Sequence, residues 1–105
     1  MFARIVSMPL KAGTASEFAR AIDVVIPLLR KHTGFLDEIA LVTPDGKSGF
    51  GISFWDSKES AEAYSRSGFE EVMKALEKVT AGPTQLQTGE VTNSTVHKIA
   101  PARVA

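Results

Sequence analysis

The strongest constraint in this chain is a mismatch between its helices and its strands. There is enough amphipathic helix to cover one face of a sheet, yet the strands are apolar on two. In Phe2-Ala3-Arg4-Ile5-Val6-Ser7-Met8, the set Phe2, Val6 and Met8 alternates with Ala3 and Ile5. From Phe35 to Thr43, Phe35, Ile39 and Leu41 alternate with Leu36, Ala40 and Val42. Successive side chains of a strand point to opposite faces, so both faces of the sheet carry apolar groups. Helical spacing recurs in only two regions, one carrying Phe18, Ile22, Val25, Ile26 and Leu29, the other running from Ala61 through Tyr64, Phe69, Val72, Met73 and Leu76 to Val79. Two helices cover one face and leave the other open. Each large apolar side chain kept from water contributes about 1.5 to 3 kcal/mol, so exposing four or five forfeits roughly 10 kcal/mol, comparable to a small domain's whole stability. The pattern predicts a homodimer, sheet against sheet. The alternative is a monomer with a moderately apolar surface.

The elements follow from local signals. A strand at 2–8 is stopped by Pro9. Thr14 and Glu17 have capping-box spacing before a helix at 15–31, in which Pro27 predicts a kink or restart. The cations Arg30, Lys31 and His32 suit the negative end of that helix, and Thr33-Gly34 stops it. Strands at 35–43 and 48–55 flank the turn Pro44-Asp45-Gly46-Lys47. Asp56 and Glu59 again have capping-box spacing, and the helix from 58 to 79 is broken into two pieces at Ser65-Arg66-Ser67-Gly68. After Ala81-Gly82-Pro83, residues 84–99 read as a long last strand with Gly89 marking a bulge, and 101–105 as a tail. The order βαββαβ predicts an α+β, ferredoxin-like domain over residues 1–100, an antiparallel sheet with two helices on one face.

Composition narrows the function. At 105 residues there is room for one domain. Twelve basic residues balance twelve acidic ones, leaving no field to attract nucleic acid. No apolar run reaches the roughly 18 residues that span a bilayer, and Met1-Phe2-Ala3-Arg4 does not open like a signal peptide, so no membrane partner and a cytoplasmic location are expected. The absence of Cys removes thiolate chemistry, and two His make a metal centre unexpected. Gly46, Gly49 and Gly51 follow no phosphate-binding pattern.

Three stretches in this order, His32-Thr33-Gly34-Phe35-Leu36, Gly51-Ile52-Ser53-Phe54-Trp55-Asp56-Ser57-Lys58-Glu59-Ser60-Ala61-Glu62-Ala63-Tyr64 and Ser67-Gly68-Phe69, resemble the antibiotic biosynthesis monooxygenase-like family of dimeric α/β barrels. The resemblance covers nearly the whole chain. It implies a homodimer whose sheets form a barrel, with a small apolar pocket in each protomer between sheet and helices. The family includes cofactor-independent oxygenases, haem-degrading enzymes and members without assigned role. The haem-degrading branch needs a His late in the second helix, a Trp earlier in it and an Asn on the first strand. Met73, Tyr64 and Val6 or a neighbour stand there instead, so haem degradation is rejected and no cofactor is expected. The quinone-forming branch places an Asn upstream of the strand Trp, where Gly51 and Ser53 stand here.

Within that frame the expected ligand is a small planar or apolar organic molecule bordered by Trp55, Tyr64 and Ser53. The Trp55 indole is suited either to stacking on it or to plugging the core. Tyr64 presents a hydroxyl or fills the gap between helix and sheet. His97 and Asn93, read on one face of the last strand, supply a general base and a holder for an enolate oxygen, or else a half-exposed surface pair. Arg4 shares its face with Phe2, Val6 and Met8, which predicts a partner among Asp37 and Glu38 or an anionic ligand. Asp37 and Glu38 point to opposite faces and cannot act as paired acid and base. His32 is explained by the helix end. The expected activity is oxidation by molecular oxygen; the alternative is a non-catalytic, stress-associated binding dimer of the same fold.

Overall fold

β1 (Phe2–Pro9) lies inside a four-stranded sheet of order β2-β3-β1-β4, with β2 at Phe35–Val42, β3 at Ser48–Trp55 and β4 at Gln85–Glu90, every pair antiparallel. The helices are α1 (Ala15–Arg30), α2 (Lys58–Ser67) and α3 (Phe69–Leu76). This computed structural model describes residues 1–99, so the expected tail at 101–105 lies outside the described residues. The order βαββαβ, with its second helix in two pieces, is the ferredoxin-like α+β fold expected from the sequence.

Alternation sorts the sheet into two faces. Phe2, Arg4, Val6 and Met8 of β1 are buried, and their partners on β3 are Trp55, Ser53, Gly51 and Gly49. Glu38, Ala40 and Val42 of β2 join this face, against which α1, α2 and α3 pack. The core is built there, around Phe18, Val25, Leu29, Trp55, Tyr64 and Leu76. The other face carries Ile5, Ile39, Leu41, Phe50, Ile52 and Phe54 with no described element over its centre, and Ile39 is 54% exposed. The apolar open face deduced from strand parity is therefore present. Among the described residues no helix is long and apolar enough to cross a membrane.

Several local expectations change. Phe35 does not share the face of Ile39 and Leu41. A bulge between Phe35 and Asp37 inserts an extra residue, pairing Phe35 with Trp55 on the helix side, where their rings meet edge-on at 5.5 Å. The helix α1 runs as one element through Pro27. Thr14 makes no capping bond and donates its hydroxyl back to the Lys11 carbonyl at 2.6 Å. At α2 the cap is Ser57, whose Oγ accepts from the Ser60 N–H at 3.1 Å, instead of the Asp56–Glu59 pair. The last strand stops at Glu90 because its partner does: β1 begins at Phe2, and after the Val91 N–H donates to the Met1 carbonyl there is no strand left to pair with. Ser94 Oγ then accepts from the Val96 and His97 N–H groups and turns the chain. Gly89 pairs in register with Ala3 and makes no bulge.

The break between α2 and α3 falls at Gly68 for a packing reason. A Cβ there would collide with the His32 ring and stand 3.0 Å from Tyr64 Cδ1. The imidazole of His32 thus occupies the notch that glycine leaves, edge-on to Tyr64 at 5.1 Å. Gly34, with φ 86°, is required both by its left-handed backbone and by the crowding of Asp56 and Ser60 against it.

Candidate functional site

The inward positions of β3 read Gly49, Gly51, Ser53 and Trp55, three small residues and one large. At Gly49 a Cβ would stand 2.9 Å from the Phe18 ring, and at Gly51 3.0 Å from Glu38 Oε1. Small residues in the middle of β3 therefore admit a helix side chain at one point and a carboxyl at the next. Trp55 closes the end. It is fully buried, stacked on Tyr64 at 4.8 Å with the rings 25° apart, and its Nε1–H donates to Ser53 Oγ at 2.9 Å.

Between β3 and the helices this leaves a cavity of about 30 Å³, with Val6, Met8, Val25, Leu29, Val72 and Leu76 among its apolar walls. Four polar side chains reach it: Arg4, Glu38, Ser53 and Tyr64. The volume holds roughly two waters, so an organic ligand requires the walls to move. Phe69 and Met73 on α3 are lining residues that are only half-buried and packed at the edge of the core.

The electrostatics of this cavity are unusual. Arg4 is 3% exposed, its Cζ lies 5.0 Å from the Tyr64 ring centre and 4.8 Å from that of Phe69, and no described residue accepts a hydrogen bond from its Nη2. Burial lowers its pKa, opposed by the Tyr64 hydroxyl and the Glu38 carboxyl. Burial pushes the Glu38 carboxyl up to about 7, although Arg4 pulls the other way. Tyr64 is pushed up to about 12 by burial, so it stays a neutral hydroxyl. Among the described residues Arg4 and Glu38 do not close an ion pair. A carboxyl that titrates near neutrality can take a proton from a bound molecule, and a fixed guanidinium can hold the negative charge left behind.

The expected site residues divide between two places. Arg4, Ser53 and Tyr64 line the cavity, with Trp55 behind them. Asn93 and His97 do not lie on β4. They belong to the segment that follows it, and they line a separate hollow of about 440 Å³ with Asp37, Ile39 and Phe54. There His97 Nε2 pairs with Asp37 Oδ2, and Glu38 touches the rim. Of the two acidic partners considered for Arg4, Glu38 is the one on its side of the sheet. Glu38 and Gly51 were missing from the expected site. The available signal was parity, since Glu38 alternates with Ala40 and Val42, an inward carboxylate on a strand that otherwise buries small and aliphatic groups. Among the described residues no cluster of three or more His, Asp or Glu is placed to hold a metal.

By sequence, no family model and no curated protein matches the chain. Its shape does have matches. A crystal structure of a Nitrosomonas europaea protein of unknown function superposes with a TM-score of 0.74 at 14% identity, covering 92% of this chain and 94% of that one. A candidate antibiotic biosynthesis monooxygenase from Bordetella bronchiseptica superposes with a TM-score of 0.73 at 15% identity over 86% and 95% of the two chains. The fold is that of the antibiotic biosynthesis monooxygenases. SnoaB, a cofactor-independent oxygenase from Streptomyces nogalater, shares it with a TM-score of 0.70 at 15% identity, over 91% of this chain and 97% of SnoaB. At these identities the antibiotic biosynthesis monooxygenase likeness is one of architecture, and the chemistry has to be argued from Arg4, Glu38 and their surroundings.

Proposed function

We propose that this protein is a cytoplasmic homodimer that binds a small planar organic molecule in the Arg4–Glu38 cavity and oxidises it with molecular oxygen, without a cofactor. The observation that carries the reading is the meeting, in one largely apolar cavity, of a proton acceptor and a guanidinium whose Nη2 has no partner among the described residues. Glu38, as carboxylate, takes a proton from an activated carbon of the substrate. The resulting enolate presents its negative oxygen to Arg4 and reduces oxygen directly. The net change converts a methylene and one molecule of oxygen to a carbonyl and one water, so no external reductant is needed. The Tyr64 and Phe69 rings and the aliphatic walls keep water from the carbanion. The open sheet face, with Ile39, Leu41, Phe50 and Ile52, supports dimerisation.

Oxygen uptake with a panel of enolisable, hydroxylated aromatic ketones tests this. Removing a general base typically lowers the rate by about 100-fold or more, and Glu38→Gln is expected to show that loss. Unchanged turnover in the variant would sink the assignment. A second reading, a binding dimer without turnover, is favoured by one feature: Ser53 Oγ already accepts from Trp55, which leaves the Tyr64 hydroxyl as the less committed neutral group facing a substrate. Binding without oxygen uptake would select it.

A further inference from the structure

The cavity also specifies the charge of its ligand. Arg4 carries a permanent positive charge and five N–H donors in a rigid fork. Its charge lies against the Tyr64 and Phe69 rings, which offer a cation–π attraction, and the Tyr64 hydroxyl helps to hold the cation. No described residue offers an acceptor to the buried Nη2. Ser53 Oγ is turned to Trp55, and Glu38 stands outside ion-pair distance with its carboxyl over Gly51. A buried cation left this way is unfavourable by itself, and a planar, two-oxygen anion is the group that fits the fork.

We propose that the ligand of this cavity is a small aromatic carboxylic acid, its carboxylate held by the Arg4 guanidinium beside Tyr64 and Phe69, and that its docking places a proton on Glu38. This rests on the reading of the cavity as a small-molecule site; with such an acid bound Glu38 is protonated and Arg4 is occupied, so the complex is a bound state without turnover. The proton follows from crowding: two carboxylates facing one guanidinium in an apolar enclosure do not both stay charged. Arg4 faces Glu38 from β1 and Tyr64 from α2, whereas α1 and α3 turn apolar side chains to it and β3 offers Gly51 and Ser53. Across the sheet the Asp37–His97 pair shares its rim. Near neutrality Glu38 is ionised in a large fraction of molecules, so proton uptake is measurable. The ring of the ligand takes the place vacated as Met73 turns outward.

The experiment is titration calorimetry of the full chain with benzoate, salicylate and 2-naphthoate, each against its amide, near neutral pH in two buffers of different ionisation enthalpy. The acids are expected to bind and the amides to bind at least about tenfold more weakly, the ratio expected for one charge-assisted contact. Up to one proton is taken up per acid bound. Arg4→Met, which keeps an apolar filler and whose fold is checked by circular dichroism, lowers acid affinity by about 10- to 100-fold. Glu38→Gln retains acid binding and abolishes proton uptake. Amides that bind as tightly as the acids would overturn the carboxylate assignment and leave the small-molecule reading in place. If neither series binds, and the Met73 methyl resonance does not move, both readings fall. Acid binding without proton uptake overturns the role given to Glu38.

Discussion

Glu38→Gln makes a quantitative test of the site that needs no substrate. Glu38 is half-buried beside Arg4, and burial raises its pKa from 4.5 to about 7. The folded state therefore holds the proton more tightly than the unfolded chain. Stability from this group is fully present below the unfolded value and is lost as pH rises through the folded one. The interval between 4.5 and about 7, at about 1.36 kcal/mol for each tenfold in proton affinity, amounts to roughly 3 kcal/mol. Partial exposure screens some of this, so a loss of about 1 to 3 kcal/mol is expected for the wild type between pH 4.5 and 8. Gln imitates the protonated acid and does not titrate. Urea unfolding followed by circular dichroism, at fixed protein concentration, should show the variant matching the wild type near pH 4.5. By pH 8 the variant should be more stable, by up to about 3 kcal/mol. Parallel stability curves for the two proteins across this range would refute the account of Glu38 as a strained, titrating carboxyl.

Three further outcomes are expected. Gly49→Ala drives a methyl to 2.9 Å from the Phe18 ring and should lower stability by about 1 to 3 kcal/mol, read as a lower urea midpoint; an unchanged midpoint would mean that α1 yields freely. His97→Ala removes a contact to Asp37 between partly exposed side chains, so its effect on stability should stay within about 1 kcal/mol, amide exchange should quicken at Val96 and His97, and any turnover should persist; a more than tenfold loss of turnover would return His97 to the role of base. Ile39→Lys places a charge on the open sheet face and should convert the dimer to monomer in native mass spectrometry without loss of helix content. A wild type that runs as a monomer, or a variant that stays dimeric, contradicts the use of that face.

The element order and the two-faced sheet were legible because they depend on periods of 2 and 3.6, which apolar residues report directly. What was not legible depends on pairing partners. The expected strand from 84 to 99 has ample Thr and Val, but an edge strand ends where its neighbour begins, here at Phe2. His97 and Asn93 were placed by carrying parity along residues that are not paired, which is why they line a different hollow from Arg4, Ser53 and Tyr64. Phe35 was misassigned by the same counting, because one bulged residue reverses the face of all that precede it. Arg4 was legible as an inward cation on an apolar face. Glu38 was recognised as a possible mate for it, but that they share the cavity without closing an ion pair is a matter of ångströms that strand parity does not resolve.

That open pair separates a site from a structural salt bridge. A buried Arg and Glu that served the fold would close on each other, since the attraction of a closed pair is what offsets the removal of two charges from water. Here the guanidinium rests against two aromatic rings with a donor unused, and the carboxyl rises toward neutrality over the bare backbone of Gly51. Apolar residues of the same size would give a more stable domain at both positions. The residues around them act in the opposite sense: Gly49 and Gly51 open space on β3, His32 fills the notch at Gly68 to support Tyr64, and Trp55 braces the same ring from behind. A scaffold that holds two costly charges apart is what the proposed small-molecule site at Arg4 and Glu38 requires.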